Sequence, residues 1–132
     1  MTHFALSVGT EQILDFVFKL LIDITKYDII CWSGCEFEFV IIDQNEVAKL
    51  WAIERNNPKM NAAKFLRALR DKYKCKMIEK GDRNYEYRFR KEYYKKMVKL
   101  SGKDMPELVE KAREVGYYYQ QYILNDNDKD LS

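Results

Sequence analysis

Residues 56–73 read NNPKMNAAKFLRALRDKY. The Asn-Asn-Pro run favours a turn, because Asn side chains bond nearby backbone and Pro fixes its own φ. Asn61 then stands where a helix N-cap is expected. Phe65, Ala68, Leu69 and Tyr73 recur at helical spacing and form one apolar stripe, with Lys64, Arg67, Arg70 and Lys74 on the other faces. The spacing predicts a helix over 61–74 that buries one side and carries positive charge on the rest.

The flanking sequence supplies its neighbours. Asp43 and Glu46 form a D-x-x-E capping signature ahead of Val47, Ala48, Leu50 and Trp51, so a second helix precedes the 54–60 turn. Before it, residues 29–33 (IICWS) read as a strand, Ser33-Gly34 as a turn and residues 36–41 (EFEFVI) as the partner strand. Phe37, Phe39 and Ile41 take one face of that strand, and Glu36 and Glu38 are expected on the solvent face. Residues 11–22 place apolar side chains at 13, 16, 17, 20 and 21, with Thr10 as the N-cap of a first helix. Residues 76–80 and 84–89 are two more strands joined by Gly81-Asp82-Arg83, in which Tyr85, Tyr87 and Phe89 alternate with Asn84, Glu86 and Arg88. The order helix, hairpin, helix, turn, helix, hairpin defines an α+β winged helix-turn-helix, whose last helix presents one face outward.

Residues 90–100 read as a short basic helix or a linker. Asp104 and Pro106 signal another helix, with Leu108, Val109, Ala112, Val115, Tyr119, Tyr122 and Ile123 as its apolar stripe. Tyr117, Tyr118, Tyr119 and Tyr122 are expected to pack on the domain with their hydroxyls toward solvent. The predicted organisation is an N-terminal tail over 1–9, the winged helix-turn-helix unit over 10–90, a helical extension over 91–124 and an acidic disordered tail over 125–132. The extension is expected to pack on the sheet; the rival placement, over the basic helix, would inhibit it.

Charge is unevenly spread. The chain of 132 residues has a formal net charge of +2, yet residues 54–96 alone carry 15 basic and 6 acidic side chains. Residues 1–53 carry 3 basic and 8 acidic, and residues 97–132 carry 5 and 7. A basic segment inside an acidic chain is the footprint of a surface that meets a polyanion. With 47% hydrophobic and 33% charged residues, neither a disordered nor a membrane-embedded chain fits. No secretory signal is apparent at the N-terminus. Three cysteines fit a reducing compartment. Cys31 and Cys35 are spaced C-x3-C, and with Cys75 and His3 they would make up a zinc set in number, but Cys75 and His3 form no second closely spaced pair, so the cysteines read as small apolar fillers and one exposed thiol. No catalytic constellation is visible, and no cofactor or metal is implied.

Arg67 and Arg70 carry the sharpest chemistry. At i and i+3 they leave one helix face a turn apart. Two guanidinium forks so placed can each bond the O6 and N7 edge of a guanine in the major groove.

ILDFVFKLLID at 13–23, ICWSGCEFEF at 30–39, EVAKLW at 46–51, the quoted 56–73 stretch and YEYRF at 85–89 together resemble the ETS domain, the DNA-binding domain of a family of transcription factors. The resemblance implies three helices on a four-stranded antiparallel sheet and binding to duplex DNA at a GGA core, GGAA or GGAT. Arg67 and Arg70 match the arginines that read the two guanines. Trp51, Arg55, Lys59, Lys64, Tyr73, Lys80 and Tyr85 match or adjoin phosphate-contacting positions; Lys72 and the wing-turn Arg83 are grouped with them. The helix start near Ile13 would offer backbone N–H groups to a phosphate. The resemblance also implies a nuclear, non-enzymatic regulator of transcription that acts as a monomer, with other transcription regulators as partners and no membrane.

Several positions depart from the family pattern. Leu14 replaces a Trp, Ala52 a Gly, Asn57 a Lys and Ala62 a Tyr, and Asp71-Lys72-Tyr73 stands where three tyrosines are usual. Asp71 lies four residues after Arg67, so it is expected either to pair with that arginine or to accept from cytosine N4 and so join base reading. The alternative function is an ETS-like fold used for protein interaction or as a passive competitor with weak DNA binding.

Overall fold

The computed structural model describes residues 12–33 and 36–124, with backbone alone at 100–101 and 122–124. The expected cap at Thr10, the turn residue Gly34, the thiol of Cys35, His3 and both terminal tails lie outside the described residues.

Helix α1 (Gln12–Leu21) is the centre of the core. The apolar spacing foretold one buried stripe, but Leu14 and Phe18 are buried as well. The reason is contact on two sides. Phe16 meets Trp51 at 5.0 Å and Phe65 at 6.4 Å between ring centroids, while Phe18 meets Trp32 at 6.1 Å and Phe89 at 6.2 Å on the sheet. Leu14, fully buried, occupies the position at which the resembled family has a Trp.

Strands β1 (Ile30–Trp32), β2 (Glu38–Ile41), β3 (Ile78–Lys80) and β4 (Glu86–Phe89) form one antiparallel sheet in the order β1-β2-β4-β3. Every strand is shorter than its apolar alternation foretold. Phe37, Lys76 and Tyr85 have φ of 66°, 57° and 64°, and a residue in that region cannot continue an extended strand. Phe39, Ile41, Tyr87 and Phe89 face the core as expected.

The opposite sheet face corrects an expectation. Glu38 is only 3% exposed. Its carboxylate accepts from the Ser33 hydroxyl at 2.7 Å and from Arg88 Nη2 at 2.9 Å. Arg88 also reaches Glu79 at 3.5 Å, and Glu79 in turn holds Arg90 at 3.1 Å. Strand alternation alone could not tell a solvated carboxylate from one covered by its own hairpin and paired across strands. Glu36, in the turn, is exposed as expected.

Helices α2 (Gln44–Glu54) and α3 (Ala62–Asp71) complete the turn motif. Asp43 caps α2 by accepting from Glu46 N at 3.0 Å, and Asn61 caps α3 by accepting from Lys64 N at 2.9 Å. The Asp43 N–H bonds Ile29 O instead of Glu46. Helix α3 stops about one turn earlier than its stripe foretold, because Lys72 N and Tyr73 N bond the carbonyls of Leu69 and Arg70 in a tightened last turn.

Residues 91–101 form a full helix, α4 (Lys91–Ser101), with Tyr93 and Met97 buried in the common core. Helix α5 (Met105–Tyr118), followed by a π-helical turn over Tyr119–Leu124, packs on β1. Its buried stripe is Met105, Val109, Ala112 and Gly116. Leu108, expected in the stripe, is 44% exposed, and Tyr117 and Tyr118 are also exposed. Gly116 moves the inward face: a Cβ there would lie 2.8 Å from the Trp32 carbonyl oxygen, so only glycine lets α5 come this close. Gln120 Nε2 then donates to that carbonyl at 2.8 Å. Because β1 and β3 are opposite edges of the sheet, α5 sits away from the β3–β4 hairpin.

Candidate nucleic-acid interface

Helix α3 is oriented by what it buries. Phe65 and Leu69 are fully buried against α1 and α2, and Phe65 meets Trp51 at 6.5 Å. Each residue turns a helix by roughly 100°. Arg67 and Arg70 therefore point away from the Phe65–Leu69 side, roughly 60° apart, and both are exposed. Among the described residues no ion pair engages Arg67, Arg70 or Asp71. The alternative in which Asp71 pairs with Arg67 is thus not realised; Asp71 stands exposed on the same ridge.

A cleft of about 320 Å³ separates α3 from the β3–β4 hairpin. It brings Arg70, Tyr73, Lys80 and Tyr85 together with Leu66, Asn84, Glu86 and Tyr87. Tyr73 and Tyr87 lie 6.5 Å apart. Burial pushes the Tyr87 hydroxyl up to about 12, with the neighbouring tyrosines adding to the rise and the Arg70 charge opposing it. Burial also raises Tyr73, again against Arg70. Both phenols are neutral donors at ordinary pH.

A second cluster lies where α1 begins beside the end of α2. The Arg55 guanidinium lies 5.5 Å over the Trp51 ring and donates to the Gln12 side chain. Trp51 is only 7% exposed, so its indole serves the core more than the surface. The Ile13 side chain is buried too, leaving its backbone N–H, in the first helical turn, as the group it offers. Lys64 Nζ donates to Lys59 O at 3.0 Å, which ties the α3 start to the preceding turn. Lys59 and Lys64 are exposed and Lys72 is half-buried.

Arg83 differs from these. It holds Glu86 with Nε at 3.1 Å and its backbone N–H at 2.9 Å. The sequence reading missed Leu66, Asn84, Glu86 and Tyr87 as cleft residues. One signal was available for Glu86: a carboxylate between two tyrosines, three residues after an arginine, at a strand start.

The Ets-domain family model matches residues 10–90. Protein C-ets-2 of Lytechinus variegatus is 42% identical over 82 residues, covering 61% of this chain and 74% of that protein. ETS translocation variant 4 of Homo sapiens is 41% identical over 83 residues, and Protein C-ets-1 of Mus musculus 39% over 82. The chain spans only 17% and 19% of the length of those two relatives.

Proposed function

The chain belongs to the Ets-domain family of DNA-binding transcription factors, and on that premise we propose that it binds duplex DNA at a GGA core, GGAA or GGAT, and regulates transcription in the nucleus. The observation that carries the reading is the state of Arg67 and Arg70: exposed, held by no ion pair among the described residues, and aimed away from the buried side of α3. Three residues advance a helix by about 4.5 Å, against about 3.4 Å between stacked bases. A flexible arginine side chain spans that difference, so each guanidinium can take O6 and N7 of one guanine. Lys59, Lys64, Lys72, Tyr73, Lys80, Tyr85, Arg55, Trp51 and the Ile13 N–H hold the phosphate backbone in register without reading sequence. Asp71 sets the preference at a base flanking the core and lowers affinity through its charge beside phosphates. Residues 10–90 are the DNA-binding unit, and the chain acts as a monomer.

The exposed carboxylate of Asp71 also favours a second reading, a fold that binds DNA weakly and serves protein interaction. Titrating a GGAA duplex and a CCAA variant over a salt series separates the two. The first reading expects a clear GGAA preference at every salt concentration. Equal affinity for both duplexes contradicts it.

A further inference from the structure

We propose that Glu86 is a positioning residue that locks the β3–β4 turn and thereby sets where Lys80 and Tyr85 meet the phosphate backbone. The inference rests on the duplex-binding reading above.

Glu86 is 3% exposed, and strand alternation puts it on the face shared with Arg88, opposite Tyr87 and Phe89. A carboxylate this buried is costly unless its oxygens find donors. Among the described residues its donors both come from Arg83, three residues earlier: the backbone N–H at 2.9 Å to one oxygen and Nε at 3.1 Å to the other. The backbone closes the same turn. Gly81 N donates to Glu86 O at 2.8 Å, and Glu86 N donates to Arg83 O at 3.2 Å. Gly81 lies so close over Glu86 that a Cβ on it would stand 2.7 Å from the Glu86 Cβ. Five residues are thus folded around one side chain.

The lock has a consequence at the cleft. Tyr85 sits between Arg83 and Glu86 with φ of 64°, a left-handed conformation that side-chain-bearing residues avoid unless their surroundings impose it. Tyr85 is 45% exposed and lines the cleft, where Lys80 and Arg70 also stand. Arg83, 78% exposed along its side chain, spends its Nε on the carboxylate, so its guanidinium is oriented by Glu86. The expected wing contact of Arg83 is in this way secondary to its service in the turn.

The test uses the full chain with Glu86→Ala, Glu86→Gln, Arg83→Ala and the Glu86→Ala/Arg83→Ala pair. Each is measured against GGAA and scrambled duplexes over a salt series, with melting temperature and the hydrogen-exchange rate of the residue 83 amide. Glu86→Ala is expected to speed that exchange, to weaken both duplexes about three- to tenfold and to reduce the salt slope by about one to two. The GGAA preference stays, because Arg67 and Arg70 are untouched. Glu86→Gln, which keeps an acceptor for the Arg83 N–H, recovers most of the loss, and the pair binds no worse than Glu86→Ala alone. Wild-type affinity and slope in folded Glu86→Ala overturn the inference and leave the duplex-binding reading standing. Should Glu86→Ala fail to fold, Arg83→Ala takes its place: weakened binding with faster exchange at amide 83 supports the inference, and unchanged binding overturns it. A wild-type chain that binds neither duplex overturns the duplex-binding reading and this inference with it.

Discussion

Two groups of arginines lie close in sequence and are used in opposite ways. Arg67 and Arg70 stand exposed on α3, with no carboxylate on them among the described residues. Arg83, Arg88 and Arg90, on or beside the β3–β4 hairpin, are each bonded to a glutamate at 2.9 to 3.1 Å. All five count equally in the charge of the basic segment, yet only the first two are free to meet an incoming polyanion. The excess of positive charge in residues 54–96 therefore overstates the interface. Part of it neutralises carboxylates that the sheet has covered, and stability in one region and recognition in the other are separable by mutation.

The sharpest break of that comparison removes both free arginines. Arg67→Ala with Arg70→Ala should cost about 2–6 kcal/mol of GGAA binding if the two bidentate contacts add. Scrambled-duplex affinity should fall far less, and the melting temperature should barely move. The converse change is Arg88→Ala. It leaves Glu38, 3% exposed, with Ser33 as its remaining side-chain donor among the described residues, and should lower stability by about 1–3 kcal/mol in denaturant titration. The GGAA preference of the folded fraction should persist. A loss of preference without a loss of stability in Arg88→Ala would erase the distinction between the two groups.

Smaller changes sharpen it. Lys64→Ala should weaken GGAA and scrambled duplexes alike and lower the salt slope by about one. Asp71→Asn removes the exposed carboxylate from the reading ridge and should raise affinity a few-fold, most at low salt where screening is weakest. Asp71→Tyr should in addition change the preferred base beside GGA, read out by selection from a random duplex library. Unchanged affinity and flank preference in both Asp71 variants would remove that residue from the interface.

The same contrast explains what the sequence could and could not tell. Helix caps are local chemistry, so Asp43 and Asn61 announced their helices directly. The α3 stripe was legible because Phe65 and Leu69 recur at helical period, and the outward arginines follow by subtraction. Strand ends were not legible: they depend on left-handed residues at Phe37, Lys76 and Tyr85, none of which is a glycine or an asparagine. Buried carboxylates were missed for a related reason. Glu38 and Glu86 look like the polar half of an alternating strand, and only cross-strand register and the folded turn reveal the donors that cover them. Helix α5 misled because its closest approach is made by Gly116, a residue with no apolar side chain to count.

The central claim is that each of two exposed arginines takes the N7 and O6 edge of a guanine, and substituting 7-deazaguanine for each guanine of the GGA core tests it at the atom concerned. Each substitution deletes one N7 acceptor and should weaken wild-type binding several-fold, with the loss at one guanine absent in Arg67→Ala and at the other absent in Arg70→Ala. Wild-type binding that ignores both substitutions would contradict the account.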